Sequence, residues 1–306
     1  MKEKRVKNVA ASVRQRLQNL ARSSGRPFQE VVQYYAIERF LYRLSQTKHR
    51  QRFVLKGALM LTVWGAPAAR PTRDIDFLGK MSNSIEGIEK AVGEVCLQPV
   101  DPDGLTFHAE TVRGTSITED ADYEGVRITF RASLERMRIP MQVDVGFGDV
   151  LHPKAGITEY PTILGHAAPK LRGYSRETTI AEKFEAMVKL GALNSRMKDF
   201  YDVWLLSRQF EFKGRDMALA IEKTFTKRGT ALPADPIAFD ERFSSEPNKM
   251  SQWKAFLRKS RLVDAPTELA VVVDAIASFL GPPANAAREG KPFTQVWKPQ
   301  GPWRKK

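Results

Sequence analysis

Thr72-Arg73-Asp74-Ile75-Asp76-Phe77-Leu78 is the most informative stretch of this chain. In an extended strand, side chains two apart point to the same side. Asp74 and Asp76 therefore share one face, while Ile75 and Phe77 can enter a core. Two carboxylates side by side repel each other, and a divalent cation relieves that repulsion because hard oxygen donors suit magnesium. The plainer alternative is a solvated strand edge. A second strand-like stretch, Met141-Gln142-Val143-Asp144-Val145-Gly146-Phe147, sets Asp144 between two β-branched residues, with Gln142 and Gly146 on its side. If the two strands adjoin, three carboxylates converge, and such a set can hold two magnesium ions about 3.5–4 Å apart.

Upstream, Val54-Leu55-Lys56-Gly57-Ala58-Leu59-Met60-Leu61 places a glycine at a helix start. Free backbone N–H groups there can meet phosphate oxygens, and Lys56 adds a point charge. A tight turn at a buried helix start is the alternative reading. Downstream, Thr179-Ile180-Ala181-Glu182-Lys183-Phe184-Glu185-Ala186-Met187 opens a helix with Ile180, Phe184, Met187 and Val188 as its apolar stripe. Lys183 lies near the edge of that stripe. It is placed either to offset charge on a transferred phosphoryl group or, exposed, to pair with Glu182 or nearby acids. In Arg196-Met197-Lys198-Asp199-Phe200-Tyr201-Asp202-Val203, the two aspartates are three apart and so neighbours on one helical face. Asp199 can serve the helix dipole, or pair with Lys183 or Arg196.

Around these stretches the pattern of apolar residues divides the chain. Helical spacing predicts helices over 5–24, from Pro27 to about Gln46, and from Gly57 to Gly65-Ala66-Pro67. Short alternating or apolar runs predict strands at 73–78, 105–111, 126–132 and 139–147, with a helix at 85–96. Helices are expected again near 178–193, 197–209, 214–228, 247–260 and 264–280. This gives a mixed α/β first part, with its sheet in about 70–150, and an all-helical second part. The expected boundaries are a helical segment at 1–50, a core at 51–173, a helical domain at 174–280, and a basic, irregular tail at 281–306, rich in Pro, Gly and Lys.

Composition narrows the classes. The 306 residues carry 49 Lys and Arg against 35 Asp and Glu, a net charge of +14. Such an excess favours a polyanionic partner. The basic helices at 1–50, or the tail with Trp297, Trp303, Arg304, Lys305 and Lys306, can hold RNA, since aromatics among cations stack bases. No apolar run approaches the roughly 18–20 residues of a membrane span, and no membrane partner is expected. The lone Cys96 fits a reducing cytoplasm. His49, His108, His152 and His166 lack zinc-ligand spacing, and neither a P-loop nor a dinucleotide fingerprint is present.

Taken in order, five stretches resemble the AbiEii/AbiGii toxin family, the nucleotidyltransferase-like toxins of bacterial abortive-infection and toxin–antitoxin systems, to which the MenT-like toxins also belong. They are Leu55–Leu61, Arg70–Phe77, Val143-Asp144-Val145, Ile180–Lys183 and Arg196–Val203. The resemblance implies an α+β fold: a polymerase-β-like nucleotidyltransferase core, a mixed sheet with helices, followed by a helical C-terminal domain. It also implies an NTP substrate with Mg2+ or Mn2+, and for several members transfer of nucleotides to the tRNA 3′ end.

By that analogy Asp74 and Asp76 bind metal with Asp144, Lys183 contacts the triphosphate or the transition state, and Asp199 acts beside it. Lys56, Gly57, Ala58 and Thr72 would contact the nucleotide, Thr72 taking the family's small-hydroxyl position. Ala58 departs from the pattern, where Gly-Ser or Gly-Gly is usual, so a side-chain hydroxyl contact is lost. RNA and a cognate antitoxin are the implied partners. The same metal site would also serve a kinase-like phosphotransferase acting on a protein, and a decayed scaffold would leave a non-catalytic RNA- or antitoxin-binding module.

Overall fold

The computed structural model describes residues 8–66, 70–119 and 123–305. The expected first turn at residues 5–7, Pro67 and Lys306 lie outside the described residues. The chain divides into two compact units. One comprises the described residues within Met1–Val63, Pro71–Gly148 and Ile157–Gly173; the other comprises those within Trp64–Arg70, Asp149–Gly156 and Tyr174–Lys306.

The first unit opens with α1 (Val9–Ser24) and α2 (Phe28–Gln46). Asn8 caps α1 by accepting a hydrogen bond from the Ala11 N–H, and Gly25 ends it in the left-handed region. β1 (Phe53–Lys56), the one-turn α3 (Leu59–Val63), β2 (Asp74–Gly79) and α4 (Ile85–Cys96) follow. A three-stranded meander comes next: β3 (Leu105–Glu119), β4 (Tyr123–Leu134) and β5 (Met137–Phe147). Its arms run well past the segments expected from the sequence, because Gly, Thr and Ser in 114–118 dilute the apolar alternation there. Short β6 (Gly156–Glu159) and β7 (Lys170–Gly173) complete a seven-stranded mixed sheet of order β3-β4-β5-β2-β1-β7-β6.

Parallel pairing of β2 with β5 and antiparallel pairing of β1 with β2 bring the aspartate strands to the centre of this sheet. The residues between the aspartates do what alternation dictates. Ile75, Phe77, Val143 and Val145 are buried, as are Ile128 and Phe130 on β4. The helices α2 and α4 pack on the sheet, α2 against β5 and β7 and α4 against β3 and β4.

The second unit is largely helical: α5 (Arg176–Leu190), α6 (Met197–Gln209), α7 (Gly214–Arg228), α8 (Glu241–Ser244), α9 (Pro247–Ser260) and α10 (Leu269–Arg288). Ser175 caps α5 through the Thr178 N–H. β8 (Phe212–Lys213), β9 (Val296–Trp297) and β10 (Trp303–Arg304) form a small antiparallel sheet.

The structure corrects the expectation of an irregular tail. α10 runs through Pro282 and Pro283 to Arg288. Pro283 has no N–H for the carbonyl of Phe279, and the Trp303 indole donates to that carbonyl instead, at 2.8 Å. Trp297 is buried and donates to the carbonyl of Ser207 near the end of α6, at 2.6 Å. Trp303 thus serves a helix carbonyl that Pro283 leaves without its N–H, and Trp297 joins the Gln300 N–H on the carbonyl of Ser207. α10 is also, among the described residues, the one helix long and apolar enough to cross a membrane. It packs against α6 and α7, with Val272, Ile276, Phe279 and Leu280 buried, as a core helix does.

Candidate active site

The aspartate strands meet in register. Asp76 stands beside Asp144, and Asp74 beside Gln142, on the parallel pair β2–β5. On its other side Asp76 faces Lys56 of β1, and Asp144 faces Arg127 of β4. Paired residues point to the same side of a sheet, so one face carries the row Lys56–Asp76–Asp144–Arg127: two carboxylates flanked by two cations. Lys56 and Asp144 are buried, and Asp74 and Asp76 half-buried.

Gly57 explains how the row is built. Its backbone has φ +70°, a conformation that side chains disfavour. A Cβ there would lie 2.0 Å from Oδ2 of Asp76. The glycine at the end of β1 thus clears room for the Asp76 carboxylate. The helix after it spans only five residues, too few for a sizeable dipole, and Ala58 is buried. Thr72, just before the strand, is held by its backbone N–H donating to the Tyr34 hydroxyl at 3.0 Å.

The expected cage of three carboxylates takes a different form. Asp144 accepts a two-pronged bond from Arg127, Nε to Oδ1 at 2.9 Å and Nη2 to Oδ2 at 2.8 Å. Gln142 donates to the same carboxylate. Among the described residues no three His, Cys, Asp or Glu side chains are grouped so as to hold a metal alone. Asp74 and Asp76 nevertheless fit a magnesium ion by donor chemistry. Magnesium commonly takes one or two carboxylates and fills its remaining positions with water and substrate phosphates.

Lys183 and Asp199 belong to the second unit, on α5 and α6. The Lys183 ammonium lies 2.6 Å from Oδ1 of Asp199 and 2.9 Å from Oδ2 of Asp202. Asp202 also takes both prongs of Arg70, each at 3.0 Å, and Asp199 pairs with Arg196 at 2.7 Å. Lys183 is therefore neither a surface lysine nor a partner of Glu182. Burial opposes its charge, but Asp199 and Asp202 outweigh burial and raise its pKa. Burial likewise opposes ionisation of Asp199, and Lys183 and Arg196 override it, holding its carboxyl at about 2. Asp199 and Asp202 thus hold three cations, Lys183, Arg70 and Arg196, between them.

Arg70, Asp202 and Arg127 were not assigned roles from the sequence. Asp202 was legible as the face-mate of Asp199, whereas its pairing with Arg70 spans 132 positions and leaves no local trace. Arg127 has a partial signal, the alternation Val126-Arg127-Ile128-Thr129, which turns it outward without naming its partner.

A family model described as nucleotidyl transferase AbiEii toxin, type IV toxin–antitoxin system, matches residues 39–278. The chain belongs to this family. An AbiEii-type chain is a nucleotidyltransferase, of a class that uses a nucleoside triphosphate and a divalent metal, and its type IV system implies an antitoxin. All five stretches singled out above fall within the matched residues. Two solved structures from Helicobacter pylori are similar, one described as a candidate nucleotidyltransferase and the other as JHP933. Each has 17% identity and a TM-score of 0.48; they cover 86% of this chain and 96% and 93% of their own. No curated protein matches significantly.

Proposed function

We propose that this AbiEii-type chain transfers a nucleotide from an NTP to the 3′-hydroxyl of an RNA, with the tRNA 3′ end as acceptor and Mg2+ or Mn2+ as metal. The observation that carries this reading is the row Lys56–Asp76–Asp144–Arg127 on adjoining strands, with Gly57 stripped of side chain beneath the Asp76 carboxylate.

Asp74 and Asp76 would hold the metal, and Asp144 would join them only by leaving Arg127. Bound there, the metal supplies positive charge to the triphosphate. Lys56, the backbone at Gly57 and Ala58, and Thr72 are proposed for the nucleotide. Lys183, fixed by two carboxylates, is suited to offset negative charge developing on a phosphoryl group. Asp199 and Asp202 orient it. In the reaction the RNA 3′-oxygen bonds to the α-phosphorus, the bond from that phosphorus to pyrophosphate breaks, and pyrophosphate leaves with the electron pair. The hydroxyl proton passes to solvent.

The test is incubation of the purified chain with total RNA, magnesium and each α-labelled NTP in turn. Label appearing at RNA 3′ ends supports the reading. Label transferred only from γ-labelled NTP, or onto protein, overturns it.

A further inference from the structure

The meander leaves one face of the sheet open. On β4 every second residue from Val126 to Leu134 is buried, and α4 covers that side. The intervening residues point the other way, and there Thr129 and Arg131 are exposed, as are Arg113 and Thr115 on β3 and Arg138 on β5. Register ties this surface to the carboxylates. Thr115 lies opposite Arg127, which lies opposite Asp144, beside Asp76. One row over, Arg113 lies opposite Thr129, which lies opposite Gln142, beside Asp74.

Arg127 and Arg131, four residues apart on one strand, stand about 13 Å apart along it. Beside the irregularity between His108 and Arg113, the side chains of Arg113, Arg131 and Thr129 help line a shallow cavity of about 420 Å3. The acid at its edge, Glu110, is exposed and lies 3.4 Å from His108.

We infer that this open face of β3, β4 and β5 is the docking surface for the acceptor RNA, gripped by its phosphates. The inference rests on the nucleotidyl-transfer reading and says where the acceptor strand lies. Guanidinium groups match phosphate oxygens in a fixed two-pronged geometry, and threonine hydroxyls add neutral donors. The surface runs without interruption into the proposed metal carboxylates, so a strand held on it ends where its 3′-hydroxyl is needed. Contacts of this kind fix position and carry no base sequence.

The test uses the full chain, a fluorescein-labelled single-stranded 20-nucleotide RNA of mixed sequence, and anisotropy titrations from 50 to 300 mM salt. Arg113→Gln with Arg131→Gln should raise the RNA Kd about tenfold or more. It should also lower the salt slope by about 1.4, the share of two phosphate contacts on a single strand. The Kd of a fluorescent NTP with magnesium should not move. Arg258→Gln with Lys259→Gln, removing equal charge from exposed positions of α9, should leave RNA binding within twofold. Either single arginine variant, or Arg138→Gln, serves if the double variant melts below the parent.

RNA binding unchanged in the face variants, or lowered equally by the α9 control, overturns the inference. The two readings fail separately. A chain that transfers nucleotide but ignores the arginine variants refutes only the docking face. One that binds RNA through them without transferring nucleotide refutes only the transfer reading.

Discussion

Oδ2 of Asp76 fills the space where a side chain on residue 57 would begin: a Cβ built on Gly57 would lie 2.0 Å from it. The contact is with a carboxylate at the centre of the sheet, and the glycine's φ of +70° disfavours any side chain as well. Gly57→Ala should therefore displace Asp76. We expect transfer to fall by at least 100-fold and stability by about 1–3 kcal/mol, the usual range for a strained backbone position. Steady-state kinetics beside a urea titration checks both. An alanine variant with parental kcat would show that the carboxylate position is unimportant.

The two ends of the acidic row should differ in weight. Asp74 and Asp76 carry the proposed metal, whereas Asp144 is already held by Arg127. Asp76→Asn should abolish measurable transfer and metal response. Asp144→Asn should keep at least ten times more activity than Asp76→Asn, with a raised magnesium requirement. Magnesium titrations of the two single variants settle the ranking, and equal losses would make Asp144 a full metal ligand.

Asp202 is buried and pairs with both Arg70 and Lys183. Asp202→Ala leaves those cations without their shared carboxylate, and such a loss typically costs about 3–5 kcal/mol. The expected urea midpoint is correspondingly lower. Lys183→Met removes one cation yet leaves Arg70 on Asp202 and Arg196 on Asp199, so its stability should fall less while transfer is lost. A Lys183→Met chain with normal kcat would remove the lysine from the chemistry.

Glu38 on α2 gives a pH dependence. Burial pushes its carboxyl up to about 7, against the pull of the Ile163 N–H and Arg39. A carboxyl raised in the folded state stabilises fully below its unfolded value near 4.5 and loses that contribution as pH rises through about 7. Thermal melts should thus show about 1–3 kcal/mol less stability at pH 8.5 than at pH 5 from this group. Glu38→Gln should flatten the profile between those values. A variant with the parental pH profile would contradict the assignment.

Where local pattern dominates, the sequence was a good guide. The helices at 85–96 and 197–209 follow their periodicity, and the alternation around Asp74–Asp76 and Asp144 indicated strands. What it concealed is non-local. β1, four buried residues without alternation, looks like the entry to a helix until β2 and β7 pair with it. Gly281-Pro282-Pro283 looks like a stop, yet the helix continues, and Trp303, 24 positions from Phe279, donates to the carbonyl that Pro283 leaves unserved. In the site, the pairing of Asp199 with Lys183 and Arg196 was among the options that spacing suggested. Arg127 on Asp144 and Arg70 on Asp202 depend on register and tertiary approach, which spacing does not encode.

The most direct test is incorporation of α-labelled nucleotide into RNA by the parent and the Asp76→Asn chain, assayed side by side with magnesium and each NTP. The account predicts labelled RNA 3′ ends from the parent and background counts from the variant, with RNA affinity retained. Equal incorporation by both chains would contradict it.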